Sequence, residues 1–349
     1  MKHIITYVFT AFILASCAAK HNVPLNQNPN KVSKPNQGFS FVDQNGNFYP
    51  QDWESKYGRP PKNTKRTSYS LMKNATEKND VENLKEAEKK YLNQLQDLLK
   101  NKSRLFILIH GFNTSENRAN ESYSLIQKKL KLDTSKDAVI QFYWDGLIAE
   151  NLLGGVKIWF DATNYSQMAG EFGLRRILNA VKNKDIFLIS HSRGASVVLT
   201  SLTTVELADS VIEETKEVHN VDVYEDSKNL LENKNKIYAI MLAPAIGITD
   251  FQITNPNTKE ITYRYFSPQL KVMHITNNES DKMLGKIVGF LSKSLKPTDL
   301  GYKSDTFVEL QKQYKIIKMT DFTGMKSHKF NNYILNDKFT EILQSYGLK

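Results

Sequence analysis

Cysteine is almost missing from this chain of 349 residues, in which Cys17 is the only one. One thiol cannot build a disulfide framework, a cysteine zinc site or an iron–sulfur cluster, so these three kinds of protein are excluded. Internal repeats are also missing. The sequence contains 40% hydrophobic, 11% aromatic and 24% charged residues, a composition typical of a folded globular protein. The length fits one large domain with an additional segment.

Acidic residues are the minority charge. The 37 Asp and Glu stand against 47 Lys and Arg, which gives a formal net charge of +10. The basic residues are dispersed along the chain, and dispersed lysines are usually solvated surface residues. The excess favours an anionic surface nearby, and we expect no nucleic-acid partner.

The N-terminus has the pattern of an export signal. After a basic start, residues 4–15 form an apolar run of 12 residues, whereas a transmembrane helix needs about 20. Small residues follow this run, as they do at a signal-peptide cleavage site.

The single cysteine lies directly after Leu14-Ala15-Ser16. This pattern resembles the lipobox of bacterial lipoproteins, in which the signal is cleaved before the cysteine and the cysteine is acylated. The resemblance implies a lipid anchor on Cys17 and a place in the bacterial cell envelope. In Gram-negative lipoproteins, Asp after the cysteine favours retention in the inner membrane. Ala18 stands at this position, so we expect the lipid anchor to lie in the outer membrane.

Residues 18 to about 37 are rich in Asn, Lys and Pro and contain almost no aliphatic side chains. Such a segment cannot bury enough apolar surface to offset the entropy lost on ordering, so we predict a flexible tether. Aromatic residues return from Phe39 to Trp53 and predict a short docking segment. The predicted organisation is a signal peptide at 1–16, an acylated cysteine with tether and docking segment at 17–64, and one domain at 65–349, with its motifs beginning at about residue 105.

Apolar stretches of strand length alternate with helical patterns in the rest of the chain. This alternation predicts an α/β fold, with a mainly parallel central sheet covered by helices on both faces. A helix is predicted from about residue 80 to 101. The predicted strands span residues 105–109, 138–144, 185–189, 236–242, 270–275 and 314–319.

The strongest motif is Ser190-His191-Ser192-Arg193-Gly194, which lies between a predicted strand and a predicted helix. A strand, a sharp turn at a serine and a helix form a nucleophile elbow, in which a strained turn lifts the hydroxyl above the sheet edge. Ser190 replaces the first glycine of the usual G-x-S-x-G pattern and is also small. Ser192 is the predicted nucleophile.

A second motif, His110-Gly111-Phe112-Asn113, follows an earlier predicted strand, where an oxyanion loop belongs. Two backbone N–H groups, one from this loop and one from the residue after the nucleophile, stabilise the developing negative charge. We assign these groups to Phe112 and Arg193.

The general base follows by elimination among seven histidines. His328 follows the last predicted strand and precedes the final helix, where the histidine of a Ser-acid-His order is expected. At the elbow, we expect the His191 ring to point away from the nucleophile. The remaining histidines lie in the signal, the tether, the oxyanion loop, a polar insertion and a strand, and they are His3, His21, His110, His219 and His274.

The acid that orients His328 should follow an intervening strand. Asp281, after the strand at 270–275, is the first choice, with Glu279 second and Asp250 third. Its role would be to fix the imidazole tautomer and to stabilise the imidazolium.

From about residue 105 onward the chain resembles an α/β-hydrolase, most closely the bacterial subgroup with H-G-F-N after an early strand and S-H-S-x-G at the elbow. Asp145-Gly146 stands where that subgroup has Pro-Ser. The resemblance implies a serine hydrolase without metal or cofactor and names no substrate. Further matching positions are Phe142-Tyr143-Trp144, Ala243-Pro244, residues 278–284 and His328.

The predicted function is hydrolysis of a small-molecule or lipid-like acyl ester at the cell envelope, with the membrane as partner through the lipid anchor. A peptidase, thioesterase or lactonase would use the same three residues, and a non-catalytic binding lipoprotein would keep the same fold. An intact Ser, His and acid set favours an enzyme. The sequence leaves the oligomeric state open. Residues 147–160 are predicted either as a lid or acyl pocket, or as plain core helix.

Overall fold

The computed structural model describes residues 19–60, 69–149, 152–203, 228–254, 257–285 and 299–349. Its strands are β1 (Ala19–Lys20), β2 (Lys31–Lys34), β3 (Gln37–Phe41), β4 (Arg104–Ile109), β5 (Asp137–Tyr143), β6 (Ile148–Ala149), β7 (Asp185–His191), β8 (Lys236–Leu242), β9 (Gln252–Thr254), β10 (Ile261–Tyr263), β11 (Leu270–Asn277) and β12 (Ile317–Asp321). Its α-helices are α1 (Trp53–Tyr57), α2 (Leu71–Glu77), α3 (Val81–Leu99), α4 (Glu116–Leu130), α5 (Leu152–Met168), α6 (Arg175–Ala180), α7 (Gly194–Leu202), α8 (Ser304–Gln313), α9 (Phe330–Leu335) and α10 (Asp337–Ser345). A π-helix at Ala169–Leu174 joins α5 to α6, and a 3₁₀ helix spans Ile248–Phe251.

Eight of these strands form one sheet in the order β12-β11-β8-β7-β4-β5-β3-β2. Neighbours from β12 to β3 are parallel, and β2 pairs with β3 in the antiparallel sense. In the middle of the sheet, Ile107 of β4 lies opposite Ile140 on one side and Leu188 on the other. The predicted α/β class with a mainly parallel sheet is confirmed.

The sheet buries both of its faces. Successive strand residues point to opposite faces, and in β4 Ile107 belongs to one core cluster whereas Leu108 belongs to another. Leu95 of α3 packs in the first cluster and Ile126 of α4 in the second. Helices therefore cover the sheet on both sides, which explains why the central strands are continuous apolar runs.

The last strand begins later than predicted, at Ile317 instead of residue 314. Tyr314 caps α8, because its N–H donates to the Leu310 carbonyl. Its hydroxyl donates to the Arg264 carbonyl, 2.7 Å away. An aromatic residue of high strand propensity thus serves a helix end and a neighbouring loop.

The predicted flexible tether is wrong for the described part of residues 18–37. Strand β2 pairs with β3, which in turn pairs with β5 at the edge of the main sheet. The buried Asn30 donates from Nδ2 to the carbonyls of Phe41 and Tyr49, at 3.1 and 2.6 Å. Backbone pairing and amide hydrogen bonds fix this segment in place. The prediction is based on the low content of aliphatic residues, which gives no information about either kind of hydrogen bond. The aromatic docking segment packs in the second core cluster, the one that contains Leu108, and Trp53 is fully buried there.

Some predictions fall outside the described residues. These are the signal peptide at 1–16 and the acylation site Cys17. Among the helices that are described, none combines the length and the apolar character needed to cross a membrane.

Candidate active site

Ser192 lies between β7, which ends at His191, and α7, which begins at Gly194. Its backbone φ is 51°, a left-handed conformation that is rare for a residue with a side chain. The Ser192 N–H donates to the Leu242 carbonyl at 2.9 Å, which fixes the turn against the neighbouring strand. A Cβ at Gly194 would stand 2.5 Å from the His110 carbonyl oxygen, so this position requires glycine. The predicted sharp turn at Ser192 is present.

Two side chains from distant parts of the chain meet the Ser192 hydroxyl in series. His328 Nε2 lies 2.9 Å from Ser192 Oγ. On the other side of the ring, His328 Nδ1 lies 2.8 Å from Asp281 Oδ2. With neutral imidazole, Nδ1–H donates to the carboxylate and Nε2 accepts from the serine hydroxyl, the geometry of a nucleophile, a base and an orienting acid.

Asp281 is buried and is held by more than the histidine. Its Oδ1 accepts from the backbone N–H groups of Met283 and Leu284 at 2.9 and 3.2 Å. The Tyr333 hydroxyl donates to Oδ2 at 3.2 Å. Burial alone would raise the pKa of Asp281, but the hydrogen bonds from His328 and from these N–H groups outweigh it and lower the pKa. The carboxylate therefore stays ionised beside His328.

The structure places the other two candidate acids elsewhere. Glu279 is exposed and accepts from the Ser304 hydroxyl at 2.8 Å. Asp250 accepts from the Gly247 N–H at 2.9 Å and faces Arg193 Nη2 at 3.4 Å. Of the three acids, Asp281 is the one brought to His328.

His191 makes contacts that the sequence did not predict. Its Nε2–H donates to the backbone carbonyl of His328 at 2.8 Å, and the two rings lie 5.0 Å apart. The His191 ring also stacks on Phe330, with ring centroids 4.7 Å apart. Burial lowers the pKa of His191 to about 3, so the ring is neutral. The ring thus points toward the loop that carries the candidate base, a contact that residue spacing did not indicate.

The loop after β4 lies directly against the elbow. A Cβ at Gly111 would stand 2.9 Å from Ser192 Cβ, so glycine permits this approach. His110 Nδ1–H donates to the Gly111 carbonyl at 2.7 Å, and its Nε2 accepts from the Trp144 N–H at 3.2 Å. Burial lowers the pKa of His110 to about 4, which leaves it neutral and fixed in this role. Within the described parts of the chain, the N–H groups of Phe112 and Arg193 donate no backbone hydrogen bond.

The side chain of Arg193 is buried and connects the elbow to its surroundings. Its Nε donates to Ser166 Oγ at 3.1 Å, and Nη1 donates to the Ala245 carbonyl at 3.0 Å. Burial lowers the pKa of Arg193, and the carboxylate of Asp250 opposes that shift. The elbow motif predicts a role for the backbone N–H of Arg193, but it does not indicate these side-chain contacts.

Trp159 touches both residues predicted to form the oxyanion hole. Its ring packs edge-on against Phe112 at 4.7 Å, and the Arg193 guanidinium lies over it at 5.8 Å. Trp159 and its neighbour Ile158 are buried. Of the two interpretations of residues 147–160, these two side chains fit a core helix that packs on the site.

A mainly parallel sheet with helices on both faces, a serine at a strained strand-to-helix turn, and a histidine and an aspartate after later strands define an α/β-hydrolase. Residues 85–333 match a protein-family model described as alpha/beta hydrolase of unknown function (DUF900). Since the match covers more than half of the chain, the chain belongs to this family. A search of curated proteins found no matching relative.

Solved structures with detectable similarity are distant. Est1E from Butyrivibrio proteoclasticus shares 14% identity, with 71% of this chain and 88% of that chain covered and a TM-score of 0.33. An uncharacterized protein from Bacillus cereus ATCC 10987 shares 12% identity over 79% and 71%, also with a TM-score of 0.33. An extracellular alpha/beta-hydrolase from a Paenibacillus species shares 11% identity over 69% and 98%, with a TM-score of 0.32. The fold assignment rests on the family and the sheet topology.

Proposed function

We propose that this protein is a serine hydrolase of the bacterial cell envelope that cleaves a carboxylic ester of an acyl group. The observation that carries the proposal is the unbroken series from Ser192 through His328 to Asp281, with contacts of 2.9 and 2.8 Å. A serine hydroxyl is a weak nucleophile until a base within hydrogen-bond distance accepts its proton. The envelope location rests on the lipobox-like sequence before Cys17.

In the acylation step, Ser192 Oγ forms a bond to the ester carbonyl carbon while its proton passes to His328 Nε2. Asp281 stabilises the resulting imidazolium. The carbonyl oxygen becomes an oxyanion and accepts hydrogen bonds from the N–H groups of Phe112 and Arg193. The carbon–oxygen bond to the leaving alcohol then breaks, and His328 donates its proton to that oxygen.

Deacylation repeats these roles with water. A water molecule loses a proton to His328 and attacks the acyl carbon, a second oxyanion forms, and the bond to Ser192 Oγ breaks as His328 returns the proton. The products are a carboxylic acid and the free enzyme.

The proposal is tested with a fluorophosphonate probe and a series of p-nitrophenyl esters of increasing chain length. We expect covalent labelling at Ser192 and ester hydrolysis that Ser192→Ala abolishes. Ser190→Ala is the matched control, because Ser190 is a buried serine two residues earlier, within strand β7. Labelling of Ser190, or hydrolysis that survives Ser192→Ala, would overturn the proposal. Peptide, thioester and lactone substrates in the same assay distinguish the other reactions open to these residues.

A further inference from the structure

The first described residues are fastened to the loop that follows β5. Ala19 and Lys20 pair in antiparallel register with Ala149 and Ile148. Next to this pairing, His21 Nδ1 lies 2.5 Å from the carboxylate of Asp145. The chain therefore becomes part of the folded domain two residues after Cys17.

Asn22 strengthens this attachment. Its backbone N–H donates to Asp145 Oδ1 at 2.8 Å, and its side-chain amide donates to the carbonyls of Thr114 and Trp144 at 3.1 and 3.2 Å. Asn22 and the Asp145 side chain are buried. A polar side chain that is buried and satisfied at several points fixes a segment in one position.

The loop that holds the N-terminal residues also contacts the candidate active site. The Ala149 N–H donates to Asn113 Oδ1 at 2.9 Å, and the Asn113 N–H donates to the Gly146 carbonyl at 3.0 Å. Asn113 is two residues from Gly111, which abuts Ser192. A short series of contacts thus links Ala19 to the nucleophile, and all of them lie at the carboxyl edge of the sheet.

The same edge carries exposed positive charge around the candidate triad. Lys282 follows Asp281, while Lys326 and Lys329 flank His328, and all three lysines are exposed. Met283 beside them is 38% exposed. Against these three lysines stand two exposed acids, Glu279 and Asp321, the last residue of β12. Basic side chains with an exposed apolar neighbour suit the surface of a bilayer that contains anionic lipids.

We propose that the carboxyl edge of the sheet faces an anionic membrane surface, and that the substrate is an ester of a lipid resident in that membrane. This inference rests on the proposed function, because it requires acylated Cys17 and a hydrolytic Ser192. Two trans peptide links span at most about 7 Å, so an anchor at Cys17 cannot lie far from Ala19. The anchor and the active site are therefore on the same side of the molecule.

Orientation is measured without any enzymatic turnover. When Cys17 is acylated, a dye can be placed on a single introduced cysteine, either Asn117→Cys near the start of α4 or Lys136→Cys just before β5. Both positions are exposed, and they lie at opposite ends of the strands, about 20 Å apart at 3.3 Å per strand residue. On phosphatidylglycerol vesicles with a quencher on the lipid headgroup, we expect severalfold stronger quenching at position 117. Equal quenching, or stronger quenching at 136, would overturn the orientation.

The substrate class is tested by loosening the anchor. A flexible Gly-Ser segment of about 12 residues, inserted between Ala18 and Ala19, keeps the acylation site and frees the domain to rotate. We expect turnover of soluble p-nitrophenyl butyrate to stay unchanged and turnover of a vesicle-embedded ester to fall about tenfold. Unchanged turnover of both substrates would overturn the proposal.

Failure of the proposed function has a different signature. If the uninserted protein cleaves neither substrate and Ser192 takes up no fluorophosphonate, the hydrolase proposal fails and the lipid-ester substrate fails with it, while the quenching experiment decides the orientation by itself. Cys17→Ser is the control for the anchor, since the variant lacks the acylated residue and should be absent from the membrane fraction. Identical detergent partitioning of wild type and Cys17→Ser would overturn both the anchor and the orientation built on it.

Discussion

The imidazole of His191 donates a hydrogen bond of 2.8 Å from Nε2 to the backbone carbonyl of His328. The residue before the candidate nucleophile thereby holds the backbone of the candidate base. His191 belongs to the central strand β7, and His328 lies in a loop. A loop fastened to a rigid strand keeps its side chain within reach of the nucleophile, which is the requirement for general-base catalysis.

The first prediction concerns this bond. His191→Phe keeps a ring that can stack on Phe330 and removes the donor to His328. We expect kcat for ester hydrolysis to fall about tenfold, or about 1.4 kcal/mol of barrier, with KM little changed. His191→Gln retains a side-chain N–H and should recover part of the loss. Equal kcat for wild type and His191→Phe would show that the bond does not position His328.

The second prediction concerns the nucleophile and its base. Ser192→Ala and His328→Ala should each lower kcat by roughly 10⁴- to 10⁶-fold. Without His328 the Ser192 hydroxyl is a weak nucleophile, and without Ser192 the base has no side-chain nucleophile to activate. The double variant should be little worse than either single variant, since residues that act as one unit are not additive. The measurement is kcat for a p-nitrophenyl ester in all three variants. Additive losses would mean that the two residues act in separate steps.

The third prediction separates two buried aspartates by different readouts. Asp281→Asn should keep the fold and lower kcat on the order of 10⁴-fold, because the amide no longer fixes the productive imidazole tautomer. Asp250→Asn removes the carboxylate that faces buried Arg193, and we expect about 3 kcal/mol lower free energy of unfolding. Urea denaturation and kcat are measured on both variants. If Asp281→Asn changed kcat little and Asp250→Asn lowered it severely, Asp250 and not Asp281 would be the acid that orients His328.

The fourth prediction concerns Trp159, which contacts Phe112 and Arg193. Trp159→Leu removes the ring that positions both expected oxyanion donors. We expect about a tenfold lower kcat with a small change in KM, because oxyanion contacts strengthen in the transition state. Trp159→Phe keeps an aromatic ring and should lie between wild type and Trp159→Leu. A rise in KM at constant kcat would instead place Trp159 in substrate binding.

The fifth prediction concerns acid stability. Burial lowers the pKa of His274 to about 4, from an ordinary value of 6.5. The unfolded chain therefore binds a proton between these pH values that the folded chain refuses, so the free energy of unfolding falls as the pH falls from 6.5 towards 4. One such histidine contributes up to about 1.4 kcal/mol per pH unit.

The check is urea denaturation between pH 4.5 and 7 on wild type and His274→Gln. His274 lies away from Ser192 and hydrogen-bonds with Tyr346 and Thr320, and glutamine can offer similar partners. The variant should show a slope against pH that is smaller by about one proton. An identical slope in both proteins would mean that His274 protonates in the folded state.

Much of the fold and the candidate residues of the site could be predicted from the sequence, because buried parallel strands are continuous apolar runs and the motifs lie where such strands end. The elbow motif predicts Ser192, elimination among the histidines predicts His328, and chain order predicts Asp281. The structure brings these three residues into contact. Edge strand β2 could not be predicted, since backbone pairing leaves little trace in a polar segment. The contacts of His191 and the Arg193 side chain depend on how distant segments pack, which spacing along the chain does not encode.

The left-handed backbone at Ser192 has a consequence for how this protein can change. A residue with a Cβ loses about 1–2 kcal/mol in that conformation, and glycine loses almost nothing. Because φ is 51° at Ser192, heat resistance and turnover make opposite demands on the residue at this position. A library screened for heat resistance alone would enrich glycine at this position, and the survivors would be well-folded proteins without a nucleophile.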